Sequence, residues 1–341
     1  MPDAQEIPDV LPDDAPAVAA FKWGPSEWFG LQVNSLSNEE RLAVAQDALK
    51  PHKEADRECP HLTALTNAPY GCSKAGGVCT VQRYAADAAG VKATGQAVAI
   101  CPARLVSRDV LRSIAKTVLG LDEGVMLVKE VPYSLNMTKV KKSGEPSWAG
   151  RIDWLLVDGN NPKRFAAVET QAVYMSGKSQ DGTFKAFVDA GGEMAMPPDY
   201  RHPDYKSSVP KRLAPQLESK ARHLSSTSRK TVVIVDEFVL SNMSELAEVG
   251  VPVAYAADPA RAQRHKLEGC QVIFVIVSLE NGGLTIKKTL YTTIDAARAA
   301  LDAVAPMSQA EFEEVVDSLV QPKDAKGKPK TPRPDKVFRL S

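Results

Sequence analysis

Two uninterrupted apolar runs, Val232-Val233-Ile234-Val235 and Val272-Ile273-Phe274-Val275-Ile276-Val277, limit this chain to few architectures. Neither run alternates between apolar and polar positions, so each suits a strand buried on both faces. Such strands need helices to cover them. Candidate helices are present. Ser37-Asn38-Glu39-Glu40 leads into Arg41–Leu49 as a capped pattern stopped by Pro51. Asp109–Leu119 gathers positions 110, 111, 114, 115 and 118 on one face, and Val209–Leu224 carries Leu213, Gln216, Leu217, Lys220 and Leu224. Further strands are expected at Met126–Leu135, Arg151–Val157 and Phe165–Tyr174, ahead of Thr231–Glu237 and Val272–Leu279. The order helix, three-strand meander, helix, strand, helix, strand predicts an α/β fold with a mixed sheet flanked by helices.

At 341 residues the chain has room for one large domain or two modest ones. Residues 1–20 read as a loose arm, 21–104 as an N-terminal domain, 105–320 as the sheet-bearing domain and 321–341 as a basic tail. Residues 175–208 form a long, irregular insertion within the second domain, too long for a plain connector. No apolar run approaches the ~20 residues that cross a bilayer. The start, Met1-Pro2-Asp3-Ala4-Gln5-Glu6, lacks a signal core, so a cytoplasmic protein with no membrane partner is expected. The 42 basic residues balance 42 acidic ones, which argues against an all-over nucleic-acid coat but leaves local clusters open. Lys139, Lys141 and Lys142 form one cluster; Lys206, Lys211 and Arg212 a second; Lys220, Arg222, Arg229 and Lys230 a third.

Acids interrupt two neighbouring strand runs, Gly150–Asp158 and Phe165–Tyr174. The connection Gly159-Asn160-Asn161-Pro162 reads as a hairpin that sets Asp153 beside Glu169. Alternation puts Glu169 and Gln171 on one side. Paired carboxylates on central strands suit a hard divalent cation. Glu130, on the preceding strand, is a candidate third acid. Against this, Asp153 and Glu169 could pair with Arg151 and Arg164 at a sheet edge, and Glu130 with Lys129.

Cys59, Cys72, Cys79 and Cys101 share one Gly- and Pro-rich segment, while Cys270 stands apart as a small buried hydrophobe. Cytosolic chains rarely keep disulfides, so the four suggest metal ligands, zinc or iron. Their spacings of 12, 6 and 21 residues are not those of a zinc ribbon, and unrelated buried thiols are the alternative.

Gly150-Arg151-Ile152-Asp153 followed after 15 residues by Glu169-Thr170-Gln171 resembles the PD-(D/E)xK nuclease core. Gln171 stands where that core usually has Lys. Together with Cys59-Pro60-His61, Gly71-Cys72-Ser73, Gly76-Gly77-Val78-Cys79 and Ile100-Cys101-Pro102, it is similar to the NotI-type restriction endonucleases. The resemblance implies a restriction-endonuclease-like core behind an N-terminal metal-stabilised domain. It implies a homodimeric type II enzyme that cuts double-stranded DNA at a GC-rich palindrome. In this reading Asp153, Glu169 and the Thr170 carbonyl hold Mg²⁺, Gln171 orients water, and the four cysteines hold a structural iron, with zinc as alternative. Base readout falls to Lys178, Gln180, Lys185, Arg201 and His202 of the insertion. Phosphate contact falls to Lys211, Arg212, Lys220 and Arg222. An iron–sulfur processing or repair nuclease and a non-enzymatic DNA-binding protein with a structural metal are the other classes compatible with these residues.

Overall fold

The computed structural model describes residues 21–50, 57–88, 90–140, 146–177, 179–280, 282–302, 308–323 and 327–331. The 1–20 arm, Lys178, Lys141, Lys142 and the end of the basic tail lie outside the described residues. The chain divides into two units, 1–301 and 302–341.

The first unit begins with β1 (Lys22–Trp28) and β2 (Leu31–Gln32), then α1 (Asn38–Ala48) and α2 (Pro60–Thr66), then β3 (Val78–Asp87) and β4 (Gly90–Ala99). The start of α1 is set by a capping box: Ser37 Oγ accepts from Glu40 N and Glu40 Oε2 accepts from Ser37 N at 2.8 Å. The four strands form an antiparallel sheet in the order β2-β1-β3-β4. Residues 59–104 show no long apolar periodicity, yet they supply half of this sheet. The signal was hidden because β3 and β4 carry polar and small residues at every other stretch, as in Thr94-Gly95-Gln96.

After α3 (Arg108–Leu119) come β5 (Val125–Val140), β6 (Pro146–Asp158), β7 (Asn161–Thr170), β8 (Tyr174–Met175), α4 (Asp181–Asp189), β9 (Pro203–Asp204) and α5 (Tyr205–Gln216). The helical path of α5 continues through a π turn at Leu217–Ala221 and a last turn at Arg222–Ser225. Then follow β10 (Thr231–Asp236), β11 (Val272–Ser278) and β12 (Thr285–Thr292). The central sheet has six strands in the order β12-β11-β10-β7-β6-β5. β10 is parallel to both β7 and β11, and the other pairings are antiparallel. Every residue of β10 and β11 is buried, as their apolar runs require.

Alternation divides the β6–β7 hairpin between two cores. Trp154, Leu156, Ala166 and Val168 pack in the cluster that contains Val110, Leu111, Ile114 and Ala115 of α3. Leu155, Val157 and Ala167, on the opposite face, cluster with Leu224. Asp153 and Glu169 share this second face, so they look toward the helical run 205–225.

The insertion 175–208 is more ordered than its composition predicts. Phe184 and Phe187 of α4 bury against Trp28, with ring centroids 5.0 and 5.5 Å away. The expected strand to Tyr174 stops at Thr170, and β12 adds an antiparallel edge. The second unit contains the helix Gln309–Val320, started by a capping box of Ser308 and Glu311. No helix among the described residues is long and apolar enough to cross a membrane.

Candidate active site

A two-residue turn, Gly159-Asn160, closes the β6–β7 hairpin between Asp158 and Asn161. Its register runs through Val157↔Phe165 to Trp154↔Val168, and one further step puts Asp153 across from Glu169. On the other side, Lys129↔Trp154 and Val131↔Ile152 put Glu130 across from Asp153. Three acids therefore fall in a row across three adjacent strands.

Their environments differ. Asp153 Oδ2 accepts from Thr170 N at 2.9 Å and from Thr170 Oγ1 at 3.0 Å, which fixes the carboxylate against the end of β7. Glu130 has φ +54°, a conformation rare for a side chain that is not Asn, Asp or Gly. It is half-exposed and pairs with Lys129 at 2.6 Å and Arg151 at 3.0 Å. These two cations hold its carboxyl below the usual range, the hydrogen bond from Lys129 contributing most.

Glu169 is 2% exposed, and Lys220 Nζ lies 2.9 Å from both of its oxygens. Burial pushes the Glu169 carboxyl up to about 7, the Asp153 charge adds to the rise, and Lys220 opposes both. Lys220 is itself buried and also reaches Gln216 Oε1 at 3.4 Å. Sequence reasoning assigned Lys220 to phosphate; the structure gives it to the acid. A signal for this was present. Leu213, Leu217, Lys220 and Leu224 form one helical stripe, and a lysine on a buried stripe needs an anionic partner.

Gln171 is buried where the chain leaves β7. Its backbone N–H donates to Ile234 O at 3.1 Å, and its Nε2 donates to Ala172 O at 2.6 Å. A cleft of about 410 Å³ opens at this point, lined by Asp153, Thr170, Gln171 and Glu130 together with Lys74, Lys129 and Arg212. Lys74 was not singled out from sequence, and Lys129 was read only as an alternative partner for Glu130; neither belongs to a motif of its own. Arg212 stacks on Tyr174 at 4.2 Å and donates to its hydroxyl at 2.6 Å.

The remaining candidates are spread out. Gln180 precedes α4, and Lys185 is exposed on it. Arg201 Nε donates to Ser176 O at 2.7 Å, and His202 N donates to Ser176 Oγ at 2.9 Å, so both brace the β8–β9 ends. Lys211 is exposed on α5. Arg222 pairs with Glu218 at 2.8 Å and Asp295 at 3.6 Å.

Cys59, Cys72 and Cys79 are buried and Cys101 nearly so. Burial pushes the thiols of Cys72, Cys79 and Cys101 up and the neighbouring Lys74 ammonium down. Among the described residues, the potential metal-binding atoms that lie within 4.8 Å of one another belong to Glu27, His61 and Cys79, and no set of four cysteines does so. The Glu27 carboxylate already has Arg104 Nε at 2.6 Å and His61 Nε2 at 2.7 Å. Those two hold its carboxyl below the usual range against the opposing effect of burial.

No curated protein matches the chain. A family model described as restriction endonuclease NotI matches residues 43–258, which run from the second half of α1 through the cysteine segment, the acid-bearing hairpin and the helical run that carries Lys220. The chain belongs to the NotI restriction endonuclease family and is a type II restriction endonuclease, a site-specific nuclease of double-stranded DNA that uses a divalent metal.

Proposed function

We propose that the acid row on β5, β6 and β7 is the reaction centre and that its divalent cation is Mg²⁺. The observation that carries this reading is the pair Asp153 and Glu169, opposed in register and facing one side of the central sheet. Donor chemistry supports it: two carboxylates and a backbone carbonyl at Thr170 are hard oxygen ligands. The pocket around Glu169 also accommodates a positive charge, since an ammonium already sits on both oxygens. When bound, Mg²⁺ acidifies water and offsets charge on the phosphate.

The chain's own residues do the rest. Thr170 holds Asp153, a residue that lines the cleft, through two hydrogen bonds to Oδ2. Gln171 orients the attacking water by hydrogen bonding; its amide carries no charge to activate it. Lys74, Lys129 and Arg212 line the same cleft and receive the DNA backbone. Glu130 acts as an outer acid of the site. Base readout is assigned to Lys178, Gln180, Lys185, Arg201 and His202, and further phosphate contact to Lys211 and Arg222. A GC-rich palindrome read by a homodimer in the cytoplasm completes the proposal, because a two-fold site matches a two-fold enzyme.

A soft structural metal, iron or zinc, is supported by the chemistry of four clustered cysteines. Their geometry here does not fit a four-sulfur site, so no step is assigned to it. Metal analysis of the purified chain distinguishes iron, zinc and neither.

The reading is tested by Asp153→Ala. Cleavage of plasmid DNA in Mg²⁺ is expected to fall by ~10²-fold or more, the minimum for removing a group that acts on the transition-state charge. Wild-type cutting by this variant would reject the assignment.

A further inference from the structure

We propose that Lys220 is the resident cation of the reaction centre: it occupies Glu169 before the divalent ion arrives, yields one carboxylate oxygen to that ion, and holds the other during catalysis. The inference rests on the nuclease reading of Asp153 and Glu169 and deepens it.

Three observations support it. Lys220 Nζ is equidistant from Glu169 Oε1 and Oε2 at 2.9 Å, the position a chelated cation would take. The pair is enclosed: Glu169 is 2% and Lys220 6% exposed, so neither charge is screened by water. The backbone that delivers Lys220 is also unusual. Pro215 lies inside the helix and cannot donate to the preceding turn, and a π turn follows at Leu217–Ala221 with Lys220 on it. A π turn shifts the side chains after it around the helix axis and is frequent at functional sites.

The chemistry missing from Gln171 is thereby restored. An amide at the end of β7 cannot bring positive charge to the site, but an ammonium delivered from the facing helix can. Lys220 acts through Glu169 and is a positioning residue. Because it competes with the divalent ion for one oxygen, its removal separates two quantities that a packing role would change together.

The experiment measures Mg²⁺ binding by titration calorimetry, and plasmid cleavage against Mg²⁺ concentration, for the full chain, wild type, Lys220→Met, Lys220→Gln and Lys220→Arg, at alkaline pH. For Met and Gln the expected result is a saturated rate about 10-fold to 100-fold below wild type, the usual loss when a partner of a metal ligand is removed. The half-maximal Mg²⁺ concentration is expected to be lower, since the competing ammonium is gone. Lys220→Arg, which keeps charge and hydrogen bonds, should recover part of the rate. A raised or unchanged half-maximal Mg²⁺ concentration in folded Met or Gln variants overturns the proposal. So does failure of both to fold while Lys220→Arg folds, which would make the pair purely structural. A wild-type chain with no Mg²⁺-dependent cleavage would instead refute the nuclease mechanism beneath it.

Discussion

A buried carboxylate that has no cation must be satisfied by backbone donors, and Asp236 shows what that costs. Ala99 N donates to its Oδ2 at 2.7 Å, and Val239 N donates to its Oδ1 at 3.0 Å, the latter as the cap of the helix Glu237–Asn242. These bonds favour the ionised form, yet burial dominates and pushes the carboxyl up to about 6. The folded chain thus holds a proton that the unfolded chain, at 3.8, has already released. Stability from Asp236 is fully present below the unfolded value and is lost as pH rises through the folded one. Replacing it with Ala removes a cap and strands a buried N–H, a loss of about 2 kcal/mol in acid. Denaturant unfolding of wild type and Asp236→Ala should therefore show a gap that narrows as pH rises from below 3.8 to above 6. A gap that widens with pH would mean that the ionised form is the stabilising one. Glu169 solves the same problem differently, adding an ammonium on both oxygens to a backbone bond from Asp153, and the ammonium is a partner it can exchange.

At the scale of elements, the edge strand β5 and the helix facing it are joined through Tyr133. Its hydroxyl lies 3.1 Å from Ser219 Oγ on the π turn, and its ring lies 5.8 Å from Lys220 Nζ. Gly150 makes room for that ring: a Cβ at this position would meet Tyr133 Cε1 at 2.3 Å. Gly150→Ala should destabilise the chain by about 1–3 kcal/mol through overpacking. The same change made in Tyr133→Ala should cost much less, and the double-mutant cycle from unfolding curves measures the difference. Equal costs in both backgrounds would place the strain elsewhere. The glycine of Gly-Arg-Ile-Asp is thus spatially required, though its sequence reads only as a strand start. Much else was legible. The apolar runs gave β10 and β11, the acid-bearing runs gave β6 and β7, and the stripe Leu213, Leu217 and Leu224 gave the facing helix. Two things were not. Local sequence carries no sign of which acid a lysine 51 residues away will meet, because sheet order and a π turn decide it. Likewise β1, β3 and β4 gain burial from α4 and the central sheet, which lie far along the chain, and not from periodicity of their own.

Across the first unit, the two sheets share cores. Trp28, Val81 and Tyr84 of the four-stranded sheet belong to the same buried cluster as Val233, Val235 and Phe274 of the central sheet, with Leu213 and Leu217 of the facing helix. The other large cluster likewise joins Cys59, Cys72 and Leu105 to Trp154, Val168 and Ile273. The cysteine-bearing segment and the acid-bearing strands are therefore packed as one body, and the insertion is part of it. Phe187 is fully buried, with Trp28 at 5.5 Å and Tyr84 at 6.4 Å in edge contacts. An insertion held this way cannot swing freely over DNA; only its exposed side chains, such as Lys185, are available to it. Phe187→Ala should cost about 3–5 kcal/mol, the range for truncating a buried aromatic. Because the cores are continuous, that loss should appear as one cooperative transition at lower denaturant, with tryptophan fluorescence and far-ultraviolet circular dichroism coincident. Trp28 and Trp154 report on the two large clusters, so a variant in which fluorescence falls before the dichroism would show that the clusters do not unfold as one cooperative body.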